Sequence, residues 1–222
     1  MKKSIILSLI AAALIIGFLG CENPTNGNGD DDIPEPVENP LWPFEVGNSW
    51  TLEVRDDQAG AEDTLFYEEY RVEDVFGHDG ERVAELNFRK FIGDSTLGSY
   101  TFWWGNTESG LYQFANLGDE FEPYEEGPIL LFKKPAEEGE NFASFILMDG
   151  EAPDDVYFFS SGIPTISVPA GDFESCLGYQ VHRDPGMDIY YYFTPDTGYV
   201  RMEKYVGGSL VKTRSLTELQ LN

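Results

Sequence analysis

The chain has 222 residues, with 14 lysines and arginines against 40 aspartates and glutamates, and a formal net charge of -26. A chain this acidic is repelled by phosphate backbones and by anionic lipid, which argues against a nucleic-acid partner and against peripheral binding to a membrane face. Its two histidines lie far apart in sequence, without a CxxC or HExxH partner motif, so the sequence predicts no zinc site and no cofactor.

The N-terminus has the pattern of a secretory signal. Basic residues at positions 2 and 3 precede an apolar run over residues 5–19 that only Ser8 and Gly17 interrupt. The run is shorter than the roughly 20 apolar residues that a membrane-spanning helix needs. We therefore predict that residues 1–20 are a helical signal peptide.

The signal ends in Phe18-Leu19-Gly20-Cys21, which resembles the bacterial lipobox, although Phe18 stands where that motif usually has leucine. The resemblance implies that Cys21 is acylated and becomes the mature N-terminus, anchored by its acyl chains. Glu22 replaces the aspartate that retains such proteins in the inner membrane, so the resemblance implies the outer membrane. A cleaved signal with an incidental cysteine, or a retained anchor helix, are the alternatives.

Residues 21–40 form the predicted lipidated cysteine and tether. Residues 22–40 hold four prolines, six acids and no base. Such a segment buries too little apolar surface to order itself, so we predict a disordered linker. Similar acidic segments mark some lipoproteins for surface display, so the periplasmic and the cell-surface side of the membrane both remain open.

Residues 41–222 suit a single domain, and their apolar residues alternate with a period of two, as in half-buried strands. Turn signals such as Gly77-His78-Asp79-Gly80 separate these runs. The sequence predicts an all-β domain, a single antiparallel sheet curled into a half-barrel or barrel-like meander, with a sandwich as the alternative. The candidate strands include residues 50–54, 64–74, 84–88, 100–104, 110–114, 129–132, 142–147, 156–160, 164–168, 175–182, 189–193, 199–205 and 209–219.

Four segments together resemble an uncharacterised family of exported bacterial lipoproteins. They are PFEVGNSW (43–50), ILLFKKPAEEGENF (129–142), VPAGDF (168–173) and YYYFTPDTGYVRME (190–203). The second departs from the family, which usually has valine before the glycine and tryptophan at the end. More broadly, the domain resembles the curved sheets of LolA-like lipoprotein carriers. Residues 41–54 and 131–146 also resemble each other, through duplication or through two similar loop-to-strand junctions.

Ser95 is the one candidate nucleophile, because Gly93-Asp94-Ser95 with Leu97 and Gly98 resembles the GDSL hydrolase motif. Such an enzyme supplies its base from a late Asp-x-x-His, and neither His78 nor His182 has aspartate three positions earlier. Asp and Ser beside glycine also form ordinary turns. We therefore predict a turn and assign no catalytic residue.

Two acidic clusters and one cysteine complete the polar candidates. Calcium needs six to eight oxygens at a fixed loop spacing, and neither cluster has that spacing, so solvated loops are favoured over sites. Cys176 alternates with apolar neighbours and has no cation beside it, which predicts a buried and unreactive thiol. The clusters are Asp119, Glu120, Glu122, Glu125 and Glu126, and Asp154 with Asp155.

Aromatic residues give the remaining signal for binding. Strand alternation puts Trp103, Tyr190 and Tyr192 on the face opposite Trp104 and Tyr191, where they are candidate ligand-binding platforms for a glycan or a peptide. The same pattern fits a sheet that is covered on both faces, which is the favoured interpretation. We predict a non-catalytic binding or envelope-assembly component on the outer membrane, with an unidentified envelope protein, glycan or apolar ligand as partner. A LolA-like carrier and, more remotely, a hydrolase using Ser95 are the alternatives.

The lipid anchor is directly testable. A Cys21→Ser variant should move from the membrane pellet to the soluble fraction after cell lysis, because the acylated residue is lost. The matched Cys176→Ser variant should stay in the pellet. A Cys21→Ser protein that still sediments with membranes would contradict the prediction.

Overall fold

The structure is a computed structural model that describes residues 33–57, 64–144, 154–183 and 186–222. The predicted signal peptide, Cys21 and the first part of the tether lie outside the described residues. Within the described ranges, no helix has the length and apolarity needed to span a membrane.

Twelve strands form one antiparallel sheet, and the described residues contain no helix, as the sequence predicts. The order across the sheet is β6-β5-β4-β3-β2-β1-β12-β11-β10-β9-β8-β7. The strands are β1 (Ser49–Asp56), β2 (Thr64–His78), β3 (Glu81–Ile92), β4 (Ser95–Thr107), β5 (Gly110–Gln113), β6 (Ile129–Lys133), β7 (Asn141–Ser144), β8 (Asp154–Val168), β9 (Gly171–Arg183), β10 (Met187–Thr194), β11 (Gly198–Val206) and β12 (Ser209–Gln220).

Most strand positions follow the predicted alternation, but one prediction is wrong. Residues 156–160 and 164–168 were expected as two strands and form the single strand β8, whose pairing with β9 shifts between Phe158 and Ser160 and between Ser160 and Ile163. These bulges break the alternation that the sequence pattern relies on. Pro164 is tolerated because β7 pairs with β8 only as far as Tyr157, which leaves an unpaired edge beyond.

The sheet curls until its two outermost strands, β6 and β7, approach each other. Ser144 of β7 donates its hydroxyl to the carbonyl oxygens of Leu130 and Leu131 of β6, at 2.9 and 2.7 Å. The sheet is therefore nearly closed into a barrel. Because eight strands already enclose an interior that side chains just fill, twelve strands enclose more space than strand residues alone can occupy.

The extra interior space is filled by the segment that leads into β1. Leu41, Trp42 and Phe44 are buried among inward-facing residues of the strands. The Trp42 ring lies 5.3 Å from that of Trp50 and 5.7 Å from that of Tyr199, measured between ring centroids. This segment acts as an internal plug of the barrel, which we call the Trp42 plug (residues 41–44).

The Trp42 plug is fixed by one side chain and one backbone position. Asn106 accepts from the N–H groups of Leu41 and Trp42 at 3.1 and 3.3 Å and donates to the Trp42 carbonyl at 2.6 Å. On the other side of the ring lies Gly198, with φ of 95°. A Cβ added at Gly198 would stand 2.5 Å from Trp42 Cδ1, so only glycine leaves room for the ring.

The sheet order divides the domain into two meanders of six strands, β1–β6 and β7–β12, and the two similar sequence segments each lead into the first strand of a half. In the first half, Gly47 N–H donates to Val72 C=O at 2.9 Å, and Val72 N–H donates to Asn48 C=O at 2.9 Å. The equivalent bonds in the second half are Gly139 N–H to Phe158 C=O at 2.8 Å and Phe158 N–H to Glu140 C=O at 2.9 Å. The two similar sequence segments therefore form the same local backbone structure where each half begins.

Two glycines lie against the ends of neighbouring segments. Gly198, at the start of β11 in the second half, lies against Trp42 of the first half. Gly110, at the start of β5, lies against residues 132–134, where the paired strand β6 ends. A Cβ on Gly110 would be 2.2 Å from the carbonyl oxygen of Phe132.

Contacts with the domain begin before residue 41. Arg82 donates from Nη1 to the carbonyl of Pro34 at 3.3 Å, and the Asp196 N–H donates to the carbonyl of Pro40 at 3.3 Å. Residues 33–40 form neither helix nor strand, yet they lie on the domain. The composition of this segment predicts only a linker, since it cannot reveal backbone bonds to distant turns.

The Trp42 plug can be tested at Gly198. We expect Gly198→Ala to lower the free energy of unfolding by about 2–4 kcal/mol, because it adds a steric clash with Trp42 to the strain of a positive φ. Gly80→Ala is the matched control, with φ of 81° and open space around its Cβ, and should lose only about 1 kcal/mol. Urea unfolding followed by tryptophan fluorescence measures both, and equal losses would contradict the steric role of Gly198.

Candidate functional site

A cavity of about 260 Å³ lies inside the barrel, directly beside the Trp42 plug. Its wall is mostly aromatic, and its one charged lining residue is Arg214. The lining comes from both halves of the domain. The residues that border it are Trp42, Tyr70, Phe102, Trp104, Leu111, Leu131, Phe132, Tyr191, Phe193, Tyr199 and Arg214.

Two features show that the cavity is accessible. Phe102 and Trp104 are half-buried, whereas the other uncharged lining residues are buried. Arg214 lies deep in the barrel, yet 24% of its side chain is accessible, because it faces the cavity. We therefore place the mouth of the cavity beside Phe102 and Trp104.

Arg214 forms an ion pair with Glu68 across strand β1. In the register of the sheet, Arg214 lies opposite Val54 and Glu68 lies opposite Leu52, and both partners are fully buried, so Arg214 and Glu68 belong to the inner face. Arg214 Nε is 2.7 Å from Glu68 Oε2, and Nη2 is 3.2 Å from Oε1. The Nη2 contact is a hydrogen bond and the Nε contact is an ion pair only, and together they orient the guanidinium.

The charge of Arg214 is held in place by its surroundings. Burial opposes the charged form, but Glu68 and the tyrosines around it outweigh burial and raise the pKa of Arg214 well above its usual value. Burial likewise raises the pKa values of Tyr199 and Tyr70 well above the usual range. At neutral pH the cavity therefore presents a charged guanidinium and protonated phenols.

Three lining residues, Trp42, Tyr199 and Arg214, carry a buried polar atom without a hydrogen-bond partner among the described residues. For Arg214 the atom is Nε, whose 2.7 Å contact with Glu68 Oε2 is an ion pair without hydrogen-bond geometry. Trp42 Nε1 and Tyr199 Oη make no hydrogen bond, although these side chains are only 3% and 4% exposed. Buried polar groups are nearly always hydrogen-bonded in native proteins, and leaving one unpaired costs about 1–3 kcal/mol. Trp42 and Tyr199 both line the cavity, so a bound molecule could supply the missing partner.

Further cations stand on the inner face, toward one end of the barrel. Lys212 precedes Arg214 by two residues on β12 and forms an ion pair with Asp56 at 2.8 Å. Lys90 lies opposite Glu68 in the sheet, and its Nζ is 3.8 Å from the centroid of the Phe66 ring. In the described part of the chain, no carboxylate forms an ion pair with Lys90.

Trp103 is not an exposed platform, because only 2% of it is accessible, and here the covered face is the alternative that the structure supports. It does lie on the face opposite Trp104, but that face is covered there. The segment after β5 folds back over it, and the Phe121 ring lies 5.9 Å from the Trp103 ring. Trp103 thus belongs to a small outer core with Val83 and Phe114.

Tyr190 and Tyr192 lie on the outer face, as the alternation predicts, while Tyr191 is buried inside. Both are half-buried and border a shallow surface pocket together with Tyr205, Asp188, Glu203 and Gly208. The Tyr192 hydroxyl donates to Glu203 Oε2 at 3.4 Å. The structure brings these two predicted residues together, and their role in binding stays a prediction.

Ser95 is exposed at the start of β4, directly after the turn formed by Gly93 and Asp94, as predicted. His78 pairs with Glu81 at the opposite end of the neighbouring strand β3. Strand rise places that end roughly 35 Å away. His182 lies on β9, seven strands from β4 in the sheet order, where its Nδ1 bonds Asp188 at 2.8 Å. The structure therefore brings neither histidine to Ser95.

The remaining polar candidates lie apart from the cavity. All five carboxylates of the cluster between positions 119 and 126 are exposed, and among the described residues no three His, Cys, Asp or Glu side chains converge as metal ligands do. Of the other pair, Asp155 is exposed as well. Cys176 is a free, fully buried cysteine, as predicted, and burial raises the pKa of its thiol.

Sequence reasoning missed Glu68 and Arg214. A usable signal was present, since Glu68 shares the alternation of Phe66, Tyr70 and Val72, and Arg214 that of Leu216. A charged residue in the inward register of a strand needs a buried partner. Which partner it has cannot be read from either strand alone.

No protein-family profile matches the sequence, and no curated protein sequence matches it. One similar crystal structure, from Bacteroides fragilis NCTC 9343, is described as a candidate exported protein with a YmcC-like fold; it shares 15% identity and a TM-score of 0.49, covering 83% of this chain and 100% of that one. Another, a candidate lipoprotein from Parabacteroides distasonis ATCC 8503, shares 15% identity and a TM-score of 0.44, with the same coverage.

One of these proteins is described as exported and the other as a lipoprotein, which are the two classes that the N-terminal sequence resembles. The four landmark segments and the LolA-like similarity stay predictions. At 15% identity the similarity says nothing about side chains.

The buried ion pair predicts a specific pattern of stability. Arg214→Met should cost about 3–5 kcal/mol, because it leaves the buried Glu68 carboxylate without its partner. Glu68→Leu should cost less, because 24% of the Arg214 side chain is accessible. The double variant should cost clearly less than the sum of the two. As a surface control, the same cycle on Glu53 and Arg55 should show a coupling below about 1 kcal/mol. Additive losses at Glu68 and Arg214, measured by urea unfolding, would contradict the pairing.

Proposed function

We propose that this chain is a lipid-anchored protein of the bacterial outer membrane, held by acyl chains on Cys21, whose barrel interior binds a small, largely apolar ligand without chemical conversion. The observation that carries the binding role is the aromatic cavity beside the Trp42 plug, with Arg214 facing it. The anchor and the membrane rest on the sequence pattern. Whether the domain faces the periplasm or the cell surface is left open.

A binding role explains the cavity better than incomplete packing does. Protein cores are close-packed, and voids larger than a water molecule are few. Here a cavity of about 260 Å³ persists amid large aromatic side chains, and it coincides with two buried donors that lack partners. Space and unpaired polar groups in one place are typical of a ligand site.

The polar groups of the cavity suit binding without catalysis. A catalytic acid or base is most effective when its pKa lies near the working pH. Arg214 and Tyr199 have pKa values raised well above their usual ones, so they keep their protons at neutral pH. They can orient a ligand through hydrogen bonds but do not exchange protons with it.

The size of the cavity restricts the LolA-like alternative. Sites for drug-sized ligands usually measure about 300–1,000 Å³, and this cavity lies just below that range. A carrier for the several acyl chains of a lipoprotein needs considerably more space. A LolA-like role would therefore require a much smaller apolar cargo, which is close to the function proposed.

Ligand binding in the cavity can be tested with 3-phenylpropan-1-ol, a neutral probe of about ten non-hydrogen atoms. It should raise the melting temperature and change tryptophan fluorescence, because Trp42 and Trp104 line the cavity. Leu131→Phe fills the cavity, so at least tenfold more probe should be needed to produce the same two responses.

The control variant is Leu117→Phe, at an exposed outer position, which should respond like the wild type. The absence of any response in the wild type, or an undiminished response in Leu131→Phe, would count against a binding site in the barrel. Density-gradient separation of the two membranes tests the proposed location independently.

A further inference from the structure

Each polar group of the cavity that is free to bind can donate a hydrogen bond, although the Tyr199 hydroxyl can also accept one. The indole N–H of Trp42 can only donate, and so can the guanidinium of Arg214. Tyr199, protonated at neutral pH, has a hydroxyl without a partner among the described residues. The contacts of Arg214 with Glu68 use Nε and Nη2, which leaves Nη1 for a bound molecule.

The one acceptor-only side chain nearby is already engaged. Glu68 is 3% exposed, and both of its carboxylate oxygens face Arg214, at 2.7 and 3.2 Å. It is therefore held by Arg214, and it is not among the residues that border the cavity. A molecule that brings acceptor oxygens satisfies the free donors, whereas one that brings donors leaves them unpaired.

We infer that the interior site takes a carboxylate with a compact apolar body, the carboxylate oxygens accepting from Arg214, Tyr199 and Trp42. This inference rests on the proposed binding function and adds the chemical class of the ligand. It extends the role of the buried Arg214 from packing to recognition.

The distribution of charge supports an anion in this place. The chain carries 40 acidic residues against 14 lysines and arginines, yet Lys90, Lys212 and Arg214 share the inner face. Asp56 and Glu68 pair with Lys212 and Arg214, while no carboxylate among the described residues forms an ion pair with Lys90. The inner face thus attracts an anion that the acidic exterior repels.

The apolar part of the site sets the shape and size of the ligand. Trp42, Tyr70, Trp104 and Phe193 present ring surfaces, with the Trp42 centroid 5.5 Å from that of Tyr70 and 5.4 Å from that of Trp104. An apolar cavity of about 150 Å³ holds one benzene molecule. The cavity of about 260 Å³ therefore suits roughly ten non-hydrogen atoms, such as one ring with a short carboxylate arm.

Three probes with the same skeleton test the inference by calorimetry on the Cys21→Ser protein. They are 3-phenylpropionate, the neutral 3-phenylpropan-1-ol and the cationic 3-phenylpropylamine. The acid should bind at least about tenfold more tightly than the alcohol, since hydrogen bonds to charged groups are stronger than neutral ones, and the amine should bind least.

Variants then locate the carboxylate. Tyr199→Phe removes one donor and keeps the ring, and should lower the affinity for the acid by about three- to tenfold. Lys90→Met should lower the affinity for the acid and leave the affinity for the alcohol unchanged. Tyr157→Phe, at an exposed position outside the cavity, is the matched control and should change neither.

The possible outcomes distinguish failure of the carboxylate inference from failure of the proposed binding function. If the alcohol binds as tightly as the acid, or if the amine binds best, the site does not select a carboxylate, while an interior binding function still stands. If the acid binds best but Tyr199→Phe and Tyr157→Phe behave alike, the carboxylate is not recognised at this cavity. If no probe binds, both the inference and the proposed function fall.

Discussion

The insertion of Trp42 into the barrel is the interaction on which the rest of the structure depends. Twelve strands enclose more volume than their own side chains fill, so the interior needs a further element. The Trp42 plug provides it, and three contacts to the Asn106 amide hold its backbone while Gly198 leaves room for the ring. Because Asn106 belongs to the first half and Gly198 to the second, this one side chain also fixes how the halves meet.

The cavity follows from an asymmetry between two otherwise similar halves. Where the first half places Trp42 in the interior, the second half has Lys134 at the position before its proline, and Lys134 reaches the carbonyl of Asn39 instead. An ammonium group without a partner could not replace an indole inside the barrel. The interior therefore receives one large ring where a symmetric pair of halves would supply two, and the side walls from both halves remain lined with aromatic residues.

Much of the fold could be predicted from the sequence, because a period of two reports directly which residues of a strand face the core. Prediction from this period fails where the surroundings of a residue come from distant parts of the chain. Trp103 lies on the predicted face, but whether that face is exposed depends on Phe121, which a later segment brings back over it. Glu68 and Arg214 meet across β1 from strands at opposite ends of the chain, so the sequence of either strand alone does not identify the partner residue. The predicted outer-face position of Tyr190 and Tyr192 is correct, because alternation within their own strand determines which face they occupy.

The buried ion pair is hard to explain by stability alone. Removing two charges from water is so costly that an apolar pair of similar size often serves a core equally well or better. Arg214 and Glu68 nevertheless occupy inward positions whose neighbours in the sheet, Val54 and Leu52, are apolar. Glu68 holds the guanidinium in a fixed orientation beside a cavity that also contains unpaired donors, so the cost of burial yields a preorganised polar surface. A preorganised surface binds more tightly because less order has to be imposed when the ligand arrives.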